Sequence, residues 1–290
     1  MRRQICAWPG HVGRIVRSVR SRLRNHALAL CSQLGSEPRQ FAPILPNIMK
    51  LTFLGTRGEI EPRTLLHRMH SCLMVSERVL VDCGADWLSK LKALRPQAII
   101  LTHAHLDHAG GLKRGAPCPV YATAQTWEGL TRYPIRERET IVPRRPVRIG
   151  DIVFEAFSVE HSLIAPAVGY RITAGGVAVF YVPDLVSIRE RHDALSGIRL
   201  YIGDGASIIR PILRRRGEVL IGHASIRDQL DWCHEEGTSH VVITHCGSQI
   251  VKTDASTATA RVQELGRERG VQVRIACDGL ELTVRSKEHP

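Results

Sequence analysis

The stretch Ile99-Ile100-Leu101-Thr102-His103-Ala104-His105-Leu106-Asp107-His108-Ala109-Gly110-Gly111 constrains this chain more than any other. The apolar run from Gln97 to Leu101 reads as a strand buried on both faces, as in a parallel sheet. The polar residues begin where that strand ends, at the edge where open α/β sheets place their sites. His103 and His105 alternate, so in extended backbone they point the same way. Asp107 and His108 follow where Gly110 and Gly111 are expected to allow a tight turn. Imidazole suits zinc, iron, copper or nickel, and a carboxylate adds a hard oxygen ligand. Three histidines and one aspartate fall within six residues. A tetrahedral site takes about four ligands, and donors this close in sequence do not converge readily on one cation. Two cations are therefore expected, with further ligands at later strand ends.

Three later runs meet that demand. The run from Phe154 reads as a strand ending at His161, that from Val177 as one ending at Asp184, and that from His240 as one ending at His245. Together, in this order, these motifs resemble the metallo-β-lactamase superfamily of hydrolases over residues 49–290. The resemblance implies that His103, His105 and His161 hold one metal, and that Asp107, His108 and His245 hold a second. Asp184 would bridge the two. Asp82, in Val79-Leu80-Val81-Asp82-Cys83-Gly84, matches the family's first motif, in which an aspartate orients the ligand histidines. Cys246 is implied to be a neighbour of the site, not a ligand.

The N-terminal part differs from the rest. Residues 1–48 carry eight arginines and one acid, Glu37, a net +7; of the chain's +12 this leaves +5 for residues 49–290. Val12 to Leu30 has helical spacing with five arginines on or near one face. Three readings stay open: a basic arm for nucleic acid or anionic lipid, an Arg-rich transit peptide, or a mis-assigned start with Met49 as the true one. Residues 1–48 are thus expected to be a basic extension, disordered or not translated, and 49–290 one hydrolase domain. No apolar run approaches the ~20 residues of a membrane span. The eight cysteines lack paired spacing and no secretory signal is evident, so reduced thiols and a cytoplasmic location are expected.

From Met49 onward, strands and helices alternate with antiparallel pairs mixed in. Residues 49–55 read as the first strand, 71–75 and 78–81 as a hairpin, and Trp87 to Leu94 as a short helix ended by Pro96. Thr123 caps a helix running to about Leu130. Residues 168–173 and 177–181 form a hairpin around Gly175-Gly176. Ser187 to Leu195, Ile226 to Glu236 and Ala255 to Arg269 read as helices, and strands at 271–276 and 280–284 close the chain. The expected class is α/β (α+β), the superfamily's four-layer αβ/βα sandwich with its metals at one edge between two sheets.

A two-metal site of this kind polarises an ester and supplies a hydroxide near neutral pH. The superfamily applies it to β-lactams, thioesters, lactones and phosphodiesters. In Leu220-Ile221-Gly222-His223-Ala224-Ser225, His223 lies 22 residues before His245. This Gly-His-x-Ser element is similar to one in the tRNA 3′-end endonucleases and in the cyclic-phosphate phosphodiesterase of carbon–phosphorus lyase systems. There the histidine stabilises the transition state and protonates the leaving oxygen, a contribution of about 10²–10⁴-fold for a general acid. Asp204 falls where the endonucleases carry a glutamate. It reads either as the carboxylate that holds His223 charged or as a solvated residue of a Gly-Asp-Gly turn. The long arm those endonucleases place between the third ligand and the bridging aspartate is missing, since His161 and Asp184 are only 23 positions apart. The phosphodiesterase's cysteine-rich zinc site is missing too, with only Cys72 in the matching region.

The candidate catalytic residues are therefore His223, Asp204 and Asp107. Arg57 and Arg63 are candidates to meet a substrate phosphate, while His67, His70, His192, His234 and His240 read as surface or hydrogen-bonded residues. The cofactors implied are two divalent ions, zinc first, with manganese or iron suited to the same donors. The substrate implied is a phosphodiester, nucleic acid or cyclic nucleotide. The alternatives are hydrolysis of a carboxylic ester, thioester or lactone, and a nucleic-acid-binding protein without catalysis.

Overall fold

The computed structural model describes residues 48–217 and 219–286. The readings made for residues 1–47 lie outside them. Ile48, assigned above to the extension, opens the first strand instead, opposite Arg285.

The first sheet contains β1 (Ile48–Gly55), β2 (Cys72–Val75), β3 (Val79–Val81), β4 (Ala98–Ile100), β5 (Val120–Thr123) and β6 (Arg138–Ile141). Between them lie α1 (Leu106–Ala109) and α2 (Ala124–Gly129). The second sheet is built from β7 (Val147–Ile149), β8 (Ile152–Glu160), β9 (Ala167–Ala174), β10 (Val177–Tyr181), β11 (Ser187–Ile188) and β12 (Leu200–Asp204). Helix α3 (Arg191–Leu195) precedes β12, and a separate hairpin, β13 (Ile212–Arg216) with β14 (Val219–His223), follows it. The chain then runs through α4 (Ile226–Glu235), β15 (His240–Thr244), α5 (Ser248–Val251), α6 (Ala255–Arg267), β16 (Gln272–Ile275) and β17 (Leu280–Arg285). The last strand returns to the first sheet, giving the order β17-β1-β2-β3-β4-β5-β6; the second sheet runs β11-β8-β9-β10-β12-β15-β16, with β7 on β8.

Period-2 alternation distributes the apolar side chains over three layers. Ala98 and Ile100 of β4 join Phe53, Phe154, Tyr170 and Val179 between the sheets. Ile99 faces outward with Trp87, Leu112 and Trp127. On the far face of the second sheet, Phe180, Tyr201 and Ile243 meet Leu230 of α4 and Val262 of α6. Two sheets with helical material outside each make the α+β four-layer sandwich. Strand β4 is parallel to both neighbours, as a continuous apolar run requires.

Some local readings need correction. Trp87 to Leu94 is not one helix but two 3₁₀ turns, Ala85–Trp87 and Leu91–Leu94. Eight residues before a proline are too few to offset the cost of nucleating an α-helix. Ser187 and Ile188 pair with Glu160 and Val159 instead of starting a helix, so α3 covers only 191–195. Thr123 caps α2 as expected, its side chain accepting from Thr126 N–H.

Candidate active site

Each expected ligand follows the carboxyl end of a strand, and the strands bring those ends together. His103 and His105 follow β4, His161 follows β8, Asp184 follows β10 and His245 follows β15. Asp107 and His108 sit on α1 instead of a turn. The two glycines behind them serve close packing: Gly110 has an ordinary φ of −61°, but a Cβ on it would lie 2.9 Å from Ala85. On Gly111 a Cβ would lie 2.8 Å from the Cys83 carbonyl.

The expected ligands form two donor groups, His103/His105/His161/Asp184 and Asp107/His108/Asp184/His245, and a third, Asp184/Asp204/His223/His245, adjoins them; in each the donor atoms lie within 4.8 Å of one another. Asp184 belongs to all three. His103 Nε2 is 2.9 Å from His105 Nδ1, which is 3.2 Å from His161 Nε2. Three imidazole nitrogens cannot satisfy one another by hydrogen bonding alone. In the second group His108 Nε2 lies 2.9 Å from Asp184 Oδ2, and His245 Nε2 lies 2.9 Å from Asp107 Oδ2. His108 Nε2, Asp184 Oδ1 and His245 Nδ1 are buried without a hydrogen bond. This soft-and-hard donor set, converging with orphaned atoms, fits divalent metal ions. Cys246 is fully buried but belongs to neither group.

The far sides of the imidazoles are fixed. His108 Nδ1–H donates to Asp82 Oδ2 at 2.9 Å, with both side chains wholly buried. The Thr102 N–H and hydroxyl also donate to Asp82, and the His103 Nδ1–H faces the Thr102 hydroxyl at 3.0 Å. His161 Nδ1–H donates to the Gly222 carbonyl at 2.9 Å. In each case Nε2 is left to face the other donors, the arrangement typical of metal-binding histidines. Asp82 and His245 hold φ values of 61° and 49°, left-handed conformations costing about 1–3 kcal/mol each where the surroundings impose them.

Burial lowers the proton affinity of His103 well below the ordinary imidazole range, with charged His108 adding to it; burial also pushes His105 down to about 4. Both are therefore in the neutral form that binds cations. Burial also opposes charge on His108, but Asp107, Asp82 and Asp184 outweigh it and push the residue up. Burial disfavours the charge on Asp184 as well, yet His245, His161 and His108 hold it well below the usual carboxylate range.

His223, 22% exposed, and Asp204, fully buried, meet beside these groups: His223 Nδ1 is 2.8 Å from Asp204 Oδ2. Asp204 is the last residue of β12, not a solvated turn. Its other oxygen accepts from Ala206 N–H, and Gln229 clamps its backbone N–H and C=O at 2.8 Å each. Burial works against charge on His223, but Asp204 and Asp184 outweigh it and push it up to about 10. Ser225 turns out to cap α4, in a reciprocal box with Asp228, so its spacing from His223 serves the helix.

A cleft of about 620 Å³ opens over the site, lined by Gly58, Glu59, Ile60, Leu106, Ile212 and Gln249 as well as His105, Asp107, His161, Asp184, His223 and His245. Arg57 does not reach it. Its side chain is 2% exposed, ion-pairs with Asp86 at 2.6 Å and donates to the carbonyls of Ile60 and Arg68. Arg63 shares Asp86 at 3.0 Å. Both arginines staple the loop that presents Gly58 to Ile60. His67 meets Thr56 Oγ1, His70 meets Asp86 and His192 meets Glu236. The sequence reading missed Glu59, whose carboxyl is pushed up by burial and by Asp107, and missed strand β13.

A two-sheet sandwich with histidines and aspartates at one edge defines a metal-dependent hydrolase. Residues 77–246 match the family model described as the beta-lactamase superfamily domain, and the chain belongs to that superfamily. A ribonuclease Z of Methanopyrus kandleri is 27% identical over 285 residues, covering 81% of this chain and 98% of the relative. Among solved structures, the metallo-β-lactamase fold protein YhfI of Bacillus subtilis superposes with a TM-score of 0.66 at 20% identity, covering 82% of this chain and 99% of its own. A diphosphatase of the PhnP family gives 0.58 at 19% identity, covering 82% and 97%. Among the described residues no helix is long and apolar enough to cross a membrane.

Proposed function

We propose that this protein is a binuclear metal-dependent phosphodiesterase acting on nucleic acid, with residues 49–290 as its hydrolase domain and the cytoplasm as its location. His103, His105 and His161 would hold one cation and Asp107, His108 and His245 the other, with Asp184 shared between them. Zinc suits this mixture of imidazole and carboxylate, and manganese or iron suits it too. Bound there, divalent ions supply Lewis-acid polarisation of a phosphoryl oxygen and acidify water. The rest falls to the chain. Asp82 holds His108, and through Thr102 His103, in the ligating tautomer. Asp204 takes the Nδ1–H of His223, so that Nε2–H can pass its proton to the departing alkoxide as the P–O bond breaks. Ile60, Leu106 and Ile212 give the cleft an apolar part of its wall.

The observation that carries this reading is His223 on the cleft wall, backed by buried Asp204, beside both groups of expected ligands. An alkoxide is a poor leaving group and needs the proton that such a pair can give. Hydrolysis of a carboxylic ester, thioester or lactone would leave the pair without that task. A binding protein without catalysis would have no use for seven converging donors. The ribonuclease Z relative supports a nucleic-acid substrate. The test is a hydrolysis panel of bis-p-nitrophenyl phosphate, 2′,3′-cyclic nucleotides, nitrocefin and a thioester. Turnover of the diesters is expected. Turnover of nitrocefin or the thioester, with none of the diesters, would overturn the reading.

A further inference from the structure

The β13–β14 hairpin, Ile212–His223, carries three consecutive arginines, Arg214 to Arg216, and one acid, Glu218, and it projects from the domain. The hairpin's register gives its two faces different roles. Ile212 pairs with His223 at the base, and the same face continues outward through Arg214 opposite Ile221 and Arg216 opposite Val219. The other face carries Leu213 and Arg215 opposite Gly222 and Leu220. The cavities agree with this alternation. Ile212 lines the catalytic cleft, whereas Leu213 lines a separate depression of about 360 Å³ with Trp232 and Arg191. At ~3.4 Å per residue, Arg214 and Arg216 stand roughly 7 and 14 Å beyond Ile212 along the cleft-side face.

These arginines are exposed and have no ion-pair or hydrogen-bond partner among the described residues. Elsewhere Arg57, Arg78, Arg144, Arg191 and Arg269 all meet carboxylates. The base of the hairpin is anchored to the site. Gly222 N–H donates to the His161 carbonyl at 2.8 Å while His161 Nδ1–H donates to the Gly222 carbonyl. Gly222 has φ +125°, and a Cβ there would lie 1.9 Å from the Ile212 carbonyl, so only glycine closes this junction. The arm therefore starts at two residues of the site, one an expected ligand and the other the expected general acid. Between His161 and Asp184 the chain has only the tight β9–β10 pair, so no projecting arm arises there.

We propose that the β13–β14 hairpin is a polynucleotide-gripping arm, with Arg214 and Arg216 on the phosphates that flank the scissile link in the cleft. This rests on the phosphodiesterase reading and adds a substrate length to it: the arm engages only a chain long enough to leave the cleft. Beyond His223 at its base the hairpin has no aromatic residue on which a base could stack, so the grip is electrostatic and indifferent to sequence.

The test uses the full-length, metal-loaded protein and a fluorescein-labelled single-stranded oligoribonucleotide. Affinity is followed by anisotropy as a function of salt. Arg214→Ala/Arg216→Ala should flatten the log–log salt slope by roughly 1.4, at about 0.7 per lost single-strand phosphate contact. Arg214→Lys/Arg216→Lys should keep most of the slope, and Arg215→Ala should change it less than the double alanine variant does. The preference in kcat/KM for the oligonucleotide over bis-p-nitrophenyl phosphate should fall in the double alanine variant. Melting curves and metal content establish that each variant is folded. An unchanged slope in the double alanine variant, or an equal effect of Arg215→Ala, overturns the arm. Cleavage of bis-p-nitrophenyl phosphate without salt-dependent oligonucleotide binding also removes the arm and leaves the phosphodiesterase reading standing. Hairpin-dependent binding with no diester hydrolysis does the reverse.

Discussion

Asp82 and His108 meet at 2.9 Å with neither side chain exposed, and Asp82 also accepts from Thr102. A carboxylate is needed because every group facing it is a donor. Asp82→Asn would turn an amide N–H₂ toward His108 Nδ1 and force its proton to Nε2, where a cation should bind. Metal affinity of the Asp107/His108/Asp184/His245 group is expected to fall about 10–100-fold. Metal titration monitored by calorimetry checks this; an unchanged affinity would dispose of the orienting role.

Asp184 lies in both groups of expected ligands, whereas His161 lies in one. Purified protein should hold two metals per chain. His161→Ala should lower this to about one, and Asp184→Ala should weaken both positions. Elemental analysis after metal-supplemented expression decides. A wild-type stoichiometry of one would refute the two-metal reading.

His223→Ala should keep both metals: His223 shares a donor group with Asp184, Asp204 and His245 but belongs to neither group of expected ligands, and loss of a metal would make it a ligand instead. Turnover of an alkyl phosphodiester should drop by roughly 10²–10⁴-fold. A p-nitrophenolate leaving group needs little protonation, so its loss should be smaller. Asp204→Asn should lose less, in the same direction. Equal losses on both leaving groups would remove the general-acid assignment.

Burial pushes His67, which belongs to neither group of expected ligands, down to about 4 while its side chain meets Thr56. The unfolded chain takes up this proton near pH 6.5, before the folded one does. His67 thus lowers stability progressively as pH falls from about 6.5 to 4, by up to roughly 3 kcal/mol at ~1.4 kcal/mol per pH unit. Urea midpoints of wild type and His67→Gln, compared between pH 7 and 4, should diverge, with the wild type losing more. Parallel pH dependences would show that His67 does not carry this linkage.

Much of the site was legible because a buried parallel strand is a continuous apolar run, and its carboxyl end marks where side chains converge. His103 through His108, His161, Asp184 and His245 all announce themselves this way. Asp204 did not, because a Gly-Asp-Gly sequence reads as a turn. Its burial depends on Gln229, 25 positions away. Arg57 misled for the same reason: the partner that turns it inward, Asp86, is 29 positions distant. Strand β13 was invisible because Arg214 to Arg216 show no apolar period. Their pairing is fixed by β14 alone.

The hairpin lies between Asp204 and His223 in sequence, yet antiparallel pairing closes its base at Ile212 opposite His223. That base, and the 2.8 Å Asp204–His223 contact beside it, stays in place however far the ribbon extends. Lengthening, shortening or re-charging the ribbon in steps that preserve register changes its reach without moving the proton donor. This segment is a cassette: arms of different length and charge can be exchanged there over one unchanged hydrolytic centre.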